Sequence, residues 1–176
     1  ALLASNGLMR GYADNIRLAI TGPMVGHVQI HAPAWRQERA LDLYIDDVNS
    51  ILTEVRADPG VGTAAARIYA PALAAPKEDA FMGVVVGVNV DVESEAYGML
   101  SGLDEPLKER HVLIGHLLAK KAGAEPGMEI AVVGQAADGS LANDLFIVQD
   151  IIRSPVDLVN QSGVVMSLTE AQTLLV

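Results

Sequence analysis

The spacing of apolar residues changes period several times along this chain, and each change predicts an element. Leu8, Met9, Tyr12, Ile16 and Ile20 recur at near-helical intervals before Gly22 and Pro23, which predicts a helix over residues 1–22. Residues 25–31 alternate instead. Val25, His27, Gln29 and His31 fall on one side and Gly26, Val28 and Ile30 on the other, the period of a strand. Over 41–55, Leu41, Tyr44, Ile45, Val48, Ile51, Leu52 and Val55 follow the three-and-four spacing of an amphipathic helix, closed by Asp58, Pro59 and Gly60. Two extended stretches, 64–73 and 81–90, are separated by polar residues 76–79.

Beyond Val90 the chain turns acidic and turn-rich, with Gly98, Gly102 and Pro106 breaking any long helix, and a subdomain boundary is expected there. A helix is then predicted over 113–122, with strands over 129–134 and 145–152 about a turn at Asp138 and Gly139. Asp-Gly between two apolar runs is a hairpin signal. Residues 163–167 are apolar and extended, and Ser167 with Glu170 forms the S-x-x-E box that opens a helix. The order of elements predicts an α+β fold with a small layered unit.

Composition narrows the function classes. The 176 residues are 51% hydrophobic, enough for a real core. The mean hydropathy of +0.30 comes from Ala, Val and Leu. No run approaches the roughly 20 apolar residues a spanning helix needs, and 81–90 is strand-length, interrupted by Gly83, Gly87 and Asn89. With 4% aromatic residues and a net charge of −10, the chain is poorly suited to stacking on bases or binding phosphates, so nucleic acid is not an expected partner. It has no cysteine, which excludes disulfides, thiolate nucleophiles and cysteine-ligated metals. The N-terminus has neither an initiator Met nor signal-peptide order, so the sequence reads as a segment of a longer protein.

Several residues invite a chemical reading. Gly60, Gly62 and Ala65 match G-x-G-x-x-A, but a dinucleotide-binding turn follows a strand and opens a helix, whereas this one follows a helix and leads into a strand; it reads as a helix terminator. His27 and His31 share a face at a spacing that can ligate zinc. A third ligand is not evident nearby, and His111 and His116 are distant in sequence. Ser154, Ser162 and Ser167 sit in turn or cap contexts, outside any G-x-S-x-G elbow. Asp91, Glu93 and Glu95 alternate as along a strand end, and Asp46 and Asp47 fall on the helix of 41–55; all five read as a solvated face. Trp35 is expected to pack on its own domain, with a partner-anchoring role as the alternative. No catalytic, cofactor-binding or metal-binding residue is assigned.

Three stretches resemble the extracytoplasmic domain of MacB-like and LolC/LolE-like ABC transporter permeases, the FtsX-like or mechanotransmission group. GHVQIH at 26–31 resembles the strand after that family's first membrane helix, and VVVGVNVDVESE at 84–95 its later strand, turn and acidic residue. VLIGHLLAKKAGAEPGMEIAVV at 112–133 resembles its apolar strand, Gly, short Leu-Ala helix and following strand. FIVQDII and VVMSLTEAQTLL resemble the next strand and the final strand and helix. Met128 departs from the family, which commonly carries Asp there. The chain also shows no hook sequence of the kind with which LolC-type members engage a periplasmic chaperone.

The resemblance implies a two-subdomain periplasmic domain. Residues 1–23 would be a membrane-proximal helical stalk, 24–95 with 160–176 a Porter-like α+β unit, and 96–159 an inserted Sabre-like β-rich unit. It also implies a non-enzymatic part without cofactors, at the periplasmic face of the bacterial inner membrane, with flanking membrane spans outside this sequence. Its partners would be a cytoplasmic ABC ATPase subunit, a second permease subunit and a lipoprotein, lipid or efflux protein. The absence of a Walker A sequence agrees with an ATPase lying elsewhere. Read without the resemblance, the chain could instead be a freestanding soluble ligand-binding or metal-dependent enzyme domain using His27, His31 or the strand-end acids, or a structural adaptor.

Overall fold

The computed structural model describes residues 26–38, 40–95, 98–101, 103 and 105–176. The helix expected over 1–22, and with it the whole expected stalk of 1–23, lies outside the described residues. Short helix α1 (Trp35–Glu38) and helix α2 (Val48–Ala57) precede the sheet. Then come β1 (Arg67–Ala75), β2 (Phe81–Val88), α3 (Val90–Glu93), β3 (His111–Gly115) and α4 (His116–Ala122). The chain continues through β4 (Glu129–Gln135), β5 (Leu141–Ile152), α5 (Asp157–Ser162), β6 (Gly163–Ser167) and α6 (Leu168–Leu175).

The strands close into one barrel in the order β1-β2-β6-β3-β5-β4. β2 with β6 and β3 with β5 are parallel; the other neighbours are antiparallel. Closure leaves no free sheet edge running the barrel's length. Inward positions Ala70, Ala74, Val85, Ile114, Ile130, Val132, Phe146, Val148, Val164 and Met166 form the main core, joined by Leu118 of α4 and by Ala171 and Leu175 of α6. One Phe among Ala and Val is what a barrel too narrow for large rings accommodates. A second cluster lies on the outside of β2, β3 and β6, where Val86, Val88, Leu113 and Val165 meet Met99, Leu100, Val156 and Val159. These three strands are thus covered on both faces, which accounts for their unbroken apolar runs.

The mixed α+β class is observed, and the expected division at 95/96 and 159/160 is not. β3 and β5, from the segment expected to be a separate insert, pair with each other, and β3 also pairs with β6 from the other unit; β4 pairs with β1. Once a strand exchanges hydrogen bonds with both units, its core is shared.

Individual elements also differ from the periodicity. Residues 26–31 form no strand. The helix expected from Leu41 starts at Val48, because the Asp47 side chain accepts a hydrogen bond from the Ser50 amide and sets the N-cap there. The helix expected over 113–122 begins only at His116. Val112, Leu113 and Ile114 fit an apolar strand equally well, and pairing with β5 and β6 decides the matter. Helix α5 was not anticipated. The turn at Asp138 and Gly139 joins β4 to β5 as expected; Gly139 has φ of 85° and Asp138 accepts from the Ser140 amide. The capping box also forms: Ser167 Oγ accepts from the Glu170 amide at 3.2 Å.

Candidate functional site

The main concentration of buried polar groups among the described residues lies against the second apolar cluster. Asn89 follows β2 and caps α3 through the Val92 amide, which turns the chain and swings Glu93 inward. Glu93 is 1% exposed. Arg67 at the start of β1 meets it in two-pronged fashion, Nε to Oε1 at 2.5 Å and Nη2 to Oε2 at 3.0 Å. Oε2 also accepts the Met99 amide at 3.1 Å. Burial tends to pull the Arg67 pKa down, yet the bonds and charge of Glu93 outweigh it and the guanidinium is held above its usual value. Burial pushes the neighbouring Tyr69 phenol up, against the opposing charge of Arg67.

Met99 is gripped from the other side as well. Ser154 Oγ donates to its carbonyl at 2.8 Å. Ser154 and Asn160 exchange backbone and amide bonds, Ser154 N–H to Asn160 Oδ1 at 2.9 Å and Asn160 Nδ2 to the Ser154 carbonyl at 2.8 Å. His116 Nδ1 lies 3.3 Å from the same Oδ1, which can only accept, so that nitrogen carries the proton. The backbone N–H and C=O of one buried residue are therefore both satisfied by buried side chains, one six residues before it and one from the far segment at Ser154. Chemically this is a clamp. Both oxygens of Glu93 are engaged by donors and its charge is matched, so the carboxylate anchors Arg67 and the Met99 backbone to one another.

The sequence reading of Glu93 as part of a solvated face is overturned. Asp91 and Glu95 are exposed, but residues 90–93 are helical, so the three acids do not share one side. Of the other candidates, Asp47 caps α2 and Asp46 is exposed. Ser162 Oγ donates to the Leu158 carbonyl, and Ser167 caps α6. Gly60 accepts its turn from Asp58, whose Oδ1 takes the Gly60 amide at 2.7 Å, as a helix terminator should. His31 stacks on Trp35, with ring centroids 4.3 Å apart and planes 12° from parallel, and its Nε2 is 3.2 Å from Gln29 Oε1. His27 is exposed beside it. Among the described residues no three His, Asp or Glu side chains converge as a metal site. His111 and His116 stay apart: His111 bonds the Glu109 carbonyl and His116 faces Asn160.

A second polar junction, exposed and unforeseen, forms at Arg110. Its φ of 56° is in the left-handed region. Its amide donates to Glu170 Oε1, its carbonyl accepts from the Ile147 amide, and its guanidinium bonds Asp144 at 2.7 and 3.2 Å and lies over the Phe146 ring. The bonds from Arg110 hold the Asp144 carboxyl below its ordinary pKa. Glu170 thus serves the cap of α6 and the segment before β3 together.

No family model matches the chain, and a search of curated proteins finds no match. None of the described helices is long and apolar enough to cross a membrane.

Proposed function

We propose that this chain is the extracytoplasmic domain of an ABC transporter permease of the MacB/LolC-LolE type. It acts without catalysis, at the periplasmic face of the bacterial inner membrane, transmitting ATP-driven motion to a lipoprotein, lipid or efflux partner. The ATPase subunit is reached through membrane and cytoplasmic parts beyond this sequence, and a second permease subunit works beside it.

The observation that carries the reading is the order of elements from β3 to α6. Apolar strand, Gly115, short helix, Gly-containing turn, two further strands, then, after the inserted α5, a strand running into a capped helix is the order of the resembling stretch apart from α5. The use of the buried polar groups supports it. Glu93, Arg67, Ser154 and Asn160 fasten segments of chain to one another, as a part that bears load requires. A Porter-like and Sabre-like division belongs to this proposal only with a boundary outside the barrel, near Arg67, because strands assigned to the two units share one sheet. His31 is engaged with Trp35 and Gln29, so the metal-dependent alternative gains no support from geometry.

The test is the full-length gene and its neighbours. Four membrane spans flanking this segment, with an ATPase fused or adjacent, are expected. A gene encoding the segment as a complete protein without spans would end the proposal.

A further inference from the structure

The alternation that places His27, Gln29 and His31 on one side of residues 26–31 survives although no strand forms there. All three line a surface cavity of about 460 Å³, together with Ala34, Arg36 and Gln37, while Val28 and Ile30, 83% and 51% exposed, lie outside its lining. The chain bends round the cavity through two residues in the left-handed region, Gly26 at φ 64° and Ala34 at φ 66°. The Ala34 carbonyl then accepts the Gln37 amide at 2.9 Å, so that α1 brings Arg36 and Gln37 to the same cavity. His31 is held in place by its stack on Trp35 and by donating from Nε2 to Gln29 Oε1.

The chemistry of the lining selects the class of ligand. Every polar side chain in it can donate a hydrogen bond: His27 and His31 through a ring N–H, Gln29 and Gln37 through an amide, Arg36 through its guanidinium. Neither Asp nor Glu is among the lining residues, and the next acids along the chain, Glu38 and Asp42, are exposed and outside it. A cation would meet Arg36 with no carboxylate to offset it, whereas an anion meets a set of donors and one positive charge. On a chain of net charge −10 such a lining is a local exception. A guanidinium can bond two oxygens of one phosphate at once, which favours a tetrahedral oxyanion over a spherical ion.

We propose that this cavity binds a phosphate group, with Arg36 supplying the charge and His27, Gln29, His31 and Gln37 donating to the remaining oxygens. The group can come from free phosphate or from the phosphoester of a lipid headgroup, and a cavity within the ~300–1,000 Å³ range of small-molecule sites has room for either. Its donors are mostly exposed and solvent screens Arg36, so binding is weak, with a dissociation constant on the order of 1 mM. His27 and His31 thereby act as donors to an anion and not as ligands to a metal. The inference rests on the cavity alone. A gene without membrane spans would leave it standing, and a chain that binds no phosphate would leave the transporter reading standing.

Trp35 is the only Trp of the chain, and its stack on His31 makes its fluorescence a reporter of the cavity. Titration of the 176-residue chain with inorganic phosphate, at constant pH and at an ionic strength held with chloride, should change that emission saturably. The same titration with dihexanoyl phosphatidylglycerol below its micelle concentration separates the sources: tighter binding of the lipid assigns a headgroup, and tighter binding of phosphate assigns the free ion. Arg36→Gln should weaken whichever binds at least about tenfold. Lys120→Gln removes an exposed cation on α4, outside the cavity, and should leave binding unchanged. If Trp35 emission stays constant, the imidazole proton resonances of His27 and His31 are followed through the same titrations. No saturable shift with either titrant overturns the proposal; so does equal weakening by Arg36→Gln and Lys120→Gln, which would mean attraction to positive charge anywhere on the surface.

Discussion

The two outer sides of the barrel are built from similar strands and treated in opposite ways. On the β2-β6-β3 side, Val86, Leu113 and Val165 are wholly buried beneath α5 and residues around Met99. On the β1-β4-β5 side, Leu73, Leu145 and Leu141 face outward. Each side also has an arginine-carboxylate pair. Arg67–Glu93 is enclosed and Arg110–Asp144 is open. Apolar strands alone therefore do not determine which side of a barrel is covered. What differs is the presence of buried hydrogen-bonding groups that tie further chain down, and the closed side has them at Glu93, Ser154 and Asn160.

Breaking the enclosed pair gives the largest expected effect. Glu93→Ala takes the carboxylate from the buried side of the Arg67 guanidinium and the acceptor from the Met99 amide together, and should cost about 3–5 kcal/mol of unfolding free energy in a urea titration. Replacing both partners, as Arg67→Met with Glu93→Leu, should recover most of that loss on the charge account, since no unpaired charge remains. The Met99 amide would still lack its acceptor. A double variant as unstable as Glu93→Ala would show that the clamp on Met99, and not the charge, holds this side closed.

Covering can also be challenged by steric means. Gly115 ends β3 directly beneath α5, and a Cβ built there would fall on the Val159 carbonyl oxygen. Gly115→Ala must displace α5 and should cost about 2–3 kcal/mol. The comparison sharpens with Ser154→Ala, which frees the Met99 carbonyl and removes an acceptor from the Val156 amide. About 1–2 kcal/mol is expected, with amide exchange accelerated around Met99 and not in β4 or β5. Uniform acceleration across all strands would mean that the two sides do not open separately.

The covered side was hard to read in the sequence for a definite reason. Residues 111–115 are apolar at every position, so periodicity could not separate strand from helix, and partners distant in the chain decided it. Glu93 looked like one of several surface acids because its burial depends on the turn at Asn89 and on Arg67, which is 26 residues away. Likewise, α5 follows Pro155 in a stretch too short for a helical stripe. By contrast, the Asp138-Gly139 hairpin, the Ser167 cap and the end of α2 at Asp58 were legible, since each is set by residues within one turn of one another. The expected subdomain boundary is not confirmed, and the same division between local and distant information explains why. Gly98, Gly102 and Pro106 do break helix, but a turn-rich stretch does not reveal that the strands on either side of it belong to one barrel.

The smallest expected effect separates the two ion pairs. Asp144 has its folded-state pKa lowered by the bonds from Arg110, so its contribution is present above the unfolded-state value near 3.8 and is lost as pH falls through the lower folded value. Because the pair is exposed and screened, that contribution is small and should shrink further in high salt. Asp144→Asn should therefore lower the melting temperature slightly above about pH 4 in low salt, far less than Glu93→Ala does, and the difference from the parent chain should vanish as pH falls through the folded value. A large loss of stability at neutral pH in Asp144→Asn would place the open pair on the same footing as the enclosed one. The open side would then be fastened by charge after all, and the contrast between the two sides would no longer rest on burial of their polar groups.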